Sequence, residues 1–181
     1  ETTFINLLTG LIYSNSGSIF IDKIKLDKKQ IEKFQSQISL VPQNIFLLDD
    51  TILNNILIDK IKDQNSLNYI EKIIKICDLS EFINSLPNGL NTRVGEKGVN
   101  LSGGQKQKIG IARCLFANKE IIIFDEATNS MDAISEKKII KNIIDNYNNK
   151  TLILISHNYS IFENFDNIVF LEKGKINQIG T

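Results

Sequence analysis

Asp125 and Glu126 stand side by side at the end of the apolar run Ile121-Ile122-Ile123-Phe124. A short continuous apolar run suits a strand buried on both faces of a parallel sheet. In an open α/β sheet, ligands gather beyond the carboxyl ends of the strands. A carboxylate there can hold Mg²⁺, and its neighbour can orient or deprotonate a water. Asp125 is therefore the candidate metal ligand and Glu126 the candidate base. Taken alone, an Asp-Glu pair equally suits a solvated acidic loop.

Upstream lies Leu101-Ser102-Gly103-Gly104-Gln105. Ser-x-x-Gln is a capping box, in which Ser102 accepts from the Gln105 amide and the Gln105 side chain reaches back. Ile109, Ala112, Leu115 and Phe116 continue it as one face of a helix. The two glycines strip side chains from the helix entrance, so an anion could approach the amides there. A lone Gly-Gly equally marks an ordinary turn. Two further polar residues follow apolar runs. Gln43 comes after Gln37-Ile38-Ser39-Leu40-Val41 and Pro42, and His157 after Thr151-Leu152-Ile153-Leu154-Ile155 and Ser156. A Gln after Pro is commonly an exposed turn residue, and a lone His is commonly structural. Three strand ends that each deliver a polar group are not expected of random loops.

The elements that must position these groups alternate between buried strands and helices. The resulting fold class is α/β with a mostly parallel sheet. Glu1 to Leu11 reads as a helix closed by Gly10. Ser18–Asp22 and Lys25-Leu26 read as a small hairpin. A cap at Asp50 or Thr51 opens a helix through Ile58. Residues 66 to 84 are mostly helical, with Leu67, Ile70, Ile73, Ile74 and Cys77 on one face. Pro87 and Gly89 end that stretch. Ser135 to Tyr147 forms a helix with Ile139, Ile140, Ile143 and Ile144 inward. Asn167–Leu171 and Lys175-Ile176 are strands joined by a Lys173-Gly174 turn.

Together these stretches resemble the ATP-binding cassette (ABC) ATPase family. LSGGQ matches its signature, IIIFDE its Walker B strand and ATNSMD its D-loop, usually ATSALD. Gln43 is similar to the family's Q-loop glutamine, and Ile155-Ser156-His157 to its H-loop, which often continues with Arg where this chain has Asn158. Thr92-Arg93-Val94-Gly95-Glu96-Lys97-Gly98 resembles the T-x-V-G-E-x-G segment of exporter-type cassettes. After the Asp of the first hairpin the family usually has glycine, and here Lys23 stands. The resemblance covers essentially the whole chain.

The resemblance implies a P-loop NTPase-like core plus a helical subdomain carrying the signature. Residues 1–47 and 118–181 would form the RecA-like core, and 48–117 the helical subdomain, of a single partial ABC ATPase domain. It implies ATP and Mg²⁺ as cofactors. Catalysis would fall to Glu126, His157 and Gln43, and Mg²⁺ binding to Thr2, Gln43 and Asp125. Nucleotide contacts would come from Thr2, Thr3, Ser102, Gly103, Gly104, Gln105 and Asp132. Ser102 and Gly104 would act in trans on a second cassette, with Asp132 at the dimer seam. The family's phosphate loop ends in Lys-[Ser/Thr]. Thr2 aligns with the hydroxyl and Glu1 with the lysine, while the loop and strands before it are expected to be missing. Either the sequence is a piece of a longer reading frame, or the lysine is lost and the site is crippled. As it stands, the polypeptide is expected to bind nucleotide poorly.

The implied activity is ATP hydrolysis driving export or flipping of a lipid, lipid-linked oligosaccharide or peptide. The implied partners are a second ABC domain and a membrane domain fused upstream, met by Asn44–Leu48. The implied place is the cytoplasmic face of the cell (inner) membrane. Two other readings remain: a non-transport cassette for DNA repair or ribosomes, and a catalytically dead interaction module motivated by Glu1.

Composition is consistent with one domain possessing a real core. The 181 residues are 42% hydrophobic and 23% charged. Lys+Arg and Asp+Glu both number 21, so bulk charge offers nothing to nucleic acid, and no nucleic-acid partner is expected. Cys77 and Cys114 fall in helical patterns without metal spacing and suit reduced, packed thiols in a cytosolic setting. No apolar run approaches the roughly 20 residues that span a bilayer.

Overall fold

The computed structural model describes residues 2–27, 29–58, 64–95 and 99–181. Glu1, expected at the lysine position, and Glu96, Lys97 and Gly98 of the exporter-type segment lie outside the described residues.

Three strands form the centre. β3 (Ile38–Val41), β4 (Ile121–Asp125) and β5 (Thr151–Ile155) pair in parallel in that order. Val41 lies opposite Phe124, and Asp125 opposite Ile155. The strands therefore end side by side. β4 is the middle strand, and Ile122, Ile123 and Phe124 are fully buried. Its continuous apolar sequence reflects helices on the faces of a parallel sheet.

Helices supply the cover. α1 (Thr2–Leu8) opens the described chain, and α2 (Ile31–Gln35) precedes β3. α3 (Ile52–Leu57) is capped by Thr51, whose side chain accepts from the Asn54 amide. The stretch 66 to 84, expected to be mostly helical, holds two helices, α4 (Gln64–Ile76) and α5 (Ser80–Ser85). They break at Asp78, which takes a φ of 53°. Ile70, Ile73, Ile74 and Cys77 are buried as expected, whereas Leu67 stays exposed.

α6 (Gly103–Ala117) differs from a one-faced helix. Ile109, Gly110, Ile111, Ala112, Cys114, Leu115 and Phe116 are all buried, so it is covered almost all round. α7 (Ala133–Asn146) buries Ile139, Ile140 and Ile143 in the expected register. One apolar cluster runs from β3 and β4 through α3, α4, α5, α6 and α7 without a break. Ser39 Oγ of β3 donates to the Cys114 carbonyl of α6 at 3.0 Å. At the α4–α6–α7 junction the Tyr69 and Tyr147 hydroxyls meet at 3.0 Å. Burial pushes the Tyr147 hydroxyl's pKa up first of all, and its bond to Tyr69 adds to that.

Two antiparallel hairpins complete the chain. β1 (Phe20–Ile21) pairs with β2 (Ile24–Lys25), and β6 (Ile168–Glu172) with β7 (Lys175–Gly180). Both turns have positive φ at both central residues, at Asp22 (48°) and Lys23 (68°) and at Lys173 (48°) and Gly174 (75°). That is the two-residue turn whose twist matches paired strands. Lys23 thus adopts the conformation that glycine would take more readily. Among the described residues, no helix is long and apolar enough to cross a membrane.

Candidate nucleotide-hydrolysis site

Asp125 closes β4 with its side chain largely buried. The next residue, Glu126, turns sharply to a φ of 50°. A left-handed non-glycine residue costs on the order of 1–2 kcal/mol, and such conformations cluster at functional sites. The turn is held because the Glu126 amide donates to Ile155 O of β5 at 3.2 Å.

Three side chains converge on the Glu126 carboxylate. Gln43, just past β3, donates from Nε2 to Glu126 Oε2 at 2.7 Å. Asn129 donates from Nδ2 to the same oxygen at 2.7 Å. His157, just past β5, places Nε2 3.4 Å from Oε1. The His157 side chain is 70% exposed and that of Glu126 only 18%. A carboxylate oriented by two amides and facing an open imidazole can hold a water in a defined direction. Gln43, Asp125, Glu126 and His157 are thus neighbours at one sheet edge.

The loop after Gln43 is fastened to the helices. Arg113 of α6 donates to Asn55 O at 2.8 Å, Phe46 O at 3.0 Å and Asn55 Oδ1 at 3.1 Å. Burial lowers the pKa of this guanidinium. Asn55, fully buried, accepts from the Leu48 amide at 2.8 Å and donates to Leu48 O and Thr51 O, each at 3.0 Å.

The signature stretch is built as its spacing predicts. Ser102 accepts from the Gln105 amide at 3.2 Å, and Gln105 Oε1 accepts from the Ser102 amide at 2.9 Å. The glycines have a second reason beyond access for an anion. A Cβ on Gly103 would lie 3.0 Å from Ser130 Cβ, and one on Gly104 3.2 Å from Ser130 O. The segment Asn129–Asp132 therefore packs directly on the start of α6. Gln107, buried in α6, accepts from the Ser130 amide at 2.9 Å and pins the contact. Asp132 caps α7, accepting from the Ile134 and Ser135 amides at 3.1 and 2.9 Å. The Ser135 side chain and amide, bonded to that carboxylate, hold it below the usual range.

Thr2 and Thr3 lie exposed in the first turn of α1. Among the described residues no hydrogen bond joins them to Gln43, Asp125, Glu126 or His157. Asn129, Gln107, Asn55, Arg113 and Glu136 escaped the sequence reading. Gln107 and Glu136 carried a usable signal, a polar residue in phase with the apolar face of its own helix.

A parallel α/β sheet, polar groups at its carboxyl edge and a capped glycine entrance are the frame in which open α/β proteins bind ligands. Comparison with known proteins gives the family. The ABC transporter family model matches residues 1–129, and the chain belongs to that family. It is 43% identical over 180 residues to the ATP-dependent lipid A-core flippase of Wigglesworthia glossinidia brevipalpis, covering 99% of this chain and 31% of the relative. It is 39% identical over 182 residues to ABC transporter B family member 13 of Arabidopsis thaliana, covering 100% of this chain and 14% of the relative. A bacterial Atm1-family ABC exporter with ATP bound superposes with a TM-score of 0.89 at 31% identity, covering 100% of this chain and 32% of that one. The chain spans about a third, or less, of these proteins' lengths.

Proposed function

We propose that this chain is the nucleotide-binding domain of an exporter or flippase and that it hydrolyses ATP to drive transport. The observation that carries the reading is the convergence of Gln43, Asn129 and His157 on Glu126 at the carboxyl edge of the sheet. Glu126 orients and deprotonates the attacking water, while Gln43 and His157 set its position and that of the γ-phosphate. Phosphoryl transfer needs mainly this positioning, together with neutralised charge.

Among the described residues no cluster of three or more His, Cys, Asp or Glu forms a metal cage. Mg²⁺ takes one or two carboxylates and completes its shell with water and phosphate oxygens. Asp125, Gln43 and Thr2 would hold it, and it would supply charge neutralisation at the phosphates. Gln43 spends its Nε2 on Glu126, so its Oε1 retains capacity for a cation.

Residues 1–47 and 118–181 act as the hydrolysis core and 48–117 as the helical subdomain. Ser102, Gly103, Gly104 and Gln105 meet the nucleotide of a second cassette, with Asp132 at the seam, and Thr3 adjoins the nucleotide beside Thr2. The membrane domain docks on the loop Asn44–Leu48. Supporting that, Phe46 is 75% exposed beside a groove of about 290 Å³ lined by Ile45, Ile56, Leu57 and Arg113. The lipid A-core flippases among the relatives favour a lipid or lipid-linked substrate. Such a protein works at a membrane, with this domain on the cytoplasmic face.

The test is Glu126→Gln in the full-length polypeptide. The expected result is ATP turnover lowered by about 10²–10⁴-fold, the usual worth of a general base, with ATP-bound dimers accumulating. Undiminished turnover would remove Glu126 from the mechanism.

A further inference from the structure

Glu136 lies in the first turn of α7 on the same face as Ile139, Ile140 and Ile143, and it is only 5% exposed. A carboxylate in such a place is costly unless its oxygens are satisfied. Both are. Oε1 accepts from the Thr128 hydroxyl at 2.5 Å, and Oε2 accepts from Asn158 Nδ2 at 2.6 Å. Among the described residues its partners are a hydroxyl and an amide, not a cation. The two donors belong to different loops. Thr128, itself buried, lies two residues after Glu126, and Asn158 directly follows His157.

The Asn158 amide is oriented by its other contacts. Its Oδ1 accepts from the Ser160 amide at 3.2 Å and the Ser160 hydroxyl at 2.8 Å, which turns Nδ2 toward Glu136. Its backbone amide donates to Ser156 Oγ at 3.0 Å. The loop carrying His157 is thus anchored through Asn158. His157 itself is mostly exposed and reaches Glu126 across 3.4 Å.

We propose that Glu136 is a positioning residue: its buried carboxylate clasps the loop after Glu126 to the loop of His157 and so fixes the distance between the two groups. Charge-assisted hydrogen bonds are roughly twice as strong as neutral ones, which explains a carboxylate at a position where the helix face calls for an aliphatic side chain. This rests on the proposed ATPase function for its kinetic readout only.

The test uses the full-length polypeptide and a donor–acceptor exchange. Glu136→Gln keeps an oxygen for Thr128 but sets an amide N–H₂ against Asn158 Nδ2, opening one half of the clasp. Adding Asn158→Asp restores it, since the introduced glutamine amide then donates to the new carboxylate, which still accepts from Ser160. Two readouts are taken, steady-state ATP hydrolysis and hydrogen exchange of peptides spanning 128–132 and 156–160. For E136Q the expected result is kcat lowered by about tenfold, the worth of one hydrogen bond to a charged group, with KM for ATP within about twofold. Exchange should rise in both peptides, and the double variant should recover kcat and protection together. A merely structural role would lower the melting temperature and leave kcat per folded molecule unchanged. That outcome overturns the proposal, as does a double variant that recovers neither readout. If the unsubstituted protein hydrolyses no ATP, the proposed function fails, and hydrogen exchange alone decides the clasp.

Discussion

Replacing Asn55 with alanine probes what holds the loop between β3 and α3. The side chain is fully buried and makes four hydrogen bonds, to Leu48 N, Leu48 O, Thr51 O and Arg113 Nη2. At about 1 kcal/mol net for each, the ceiling is about 4 kcal/mol. The floor is set by which partners find substitutes. Thr51 O still accepts from the Asn55 amide, and Leu48 O from the Asp50 amide. Leu48 N and the guanidinium lose an acceptor outright, so a loss of about 2–4 kcal/mol is expected. For a domain of this size that lowers the melting temperature by roughly 5–15 °C. The assay is urea and thermal unfolding of the domain, with Asn54→Ala as the comparison. Asn54 makes one side-chain bond, Nδ2 to Asp50 Oδ1, and should cost about 1 kcal/mol. If Asn55→Ala costs no more than Asn54→Ala, water replaces these bonds freely and the buried-bracket reasoning is wrong.

Ser102→Ala removes half of the capping box and should destabilise α6 by about 1 kcal/mol, read from the melting curve. Burial pushes the Cys114 thiol up to about 12 and raises Cys77 further still. Neither thiol should react with a thiol reagent at pH 8 until the protein unfolds; fast labelling of the native state would contradict this. Asp78 bridges Lys108 of α6 (2.9 Å) and Lys138 of α7 (2.5 Å). Burial raises its pKa, but the hydrogen bonds and charges of the two lysines outweigh that and leave it lowered. A lowered folded value means the bridge contributes stability above the unfolded carboxylate range, near pH 4, and loses it as pH falls further. Asp78→Asn should therefore flatten the acid limb of the stability–pH curve, and an unchanged limb would show that the bridge carries none of it.

The strand ends were the most legible part. Continuous apolar runs ending in Gln43, Asp125 and His157 needed only the rule that parallel strands share a direction, and β3, β4 and β5 do lie side by side. The capping box was equally plain, because its logic is local. What the sequence hid is contact between elements. Asp78 interrupts the helical stretch with a left-handed φ, and its carboxylate meets lysines on α6 and α7, contacts that lie between elements. The all-round burial of α6 follows from its place between the sheet and α3 and α4, which no single-helix periodicity encodes. Asn129 looked like a loop residue, and its bond to Glu126 depends on a turn whose φ no residue type announces.

The loop leaving β3 is gripped at both ends. Gln43 is bound to Glu126, and three residues later the Phe46 carbonyl is bound to Arg113. Three residues extend at most ~10 Å, so the two bonded points lie within about that distance of each other along the backbone. The exposed Phe46 therefore shares one short segment with a side chain bonded to Glu126 and a carbonyl bonded to α6. Under the function proposed above, a displacement of this loop that broke the Gln43 bond first would release the Glu126 carboxylate, and one that broke the Phe46 bond first would free the loop from α6.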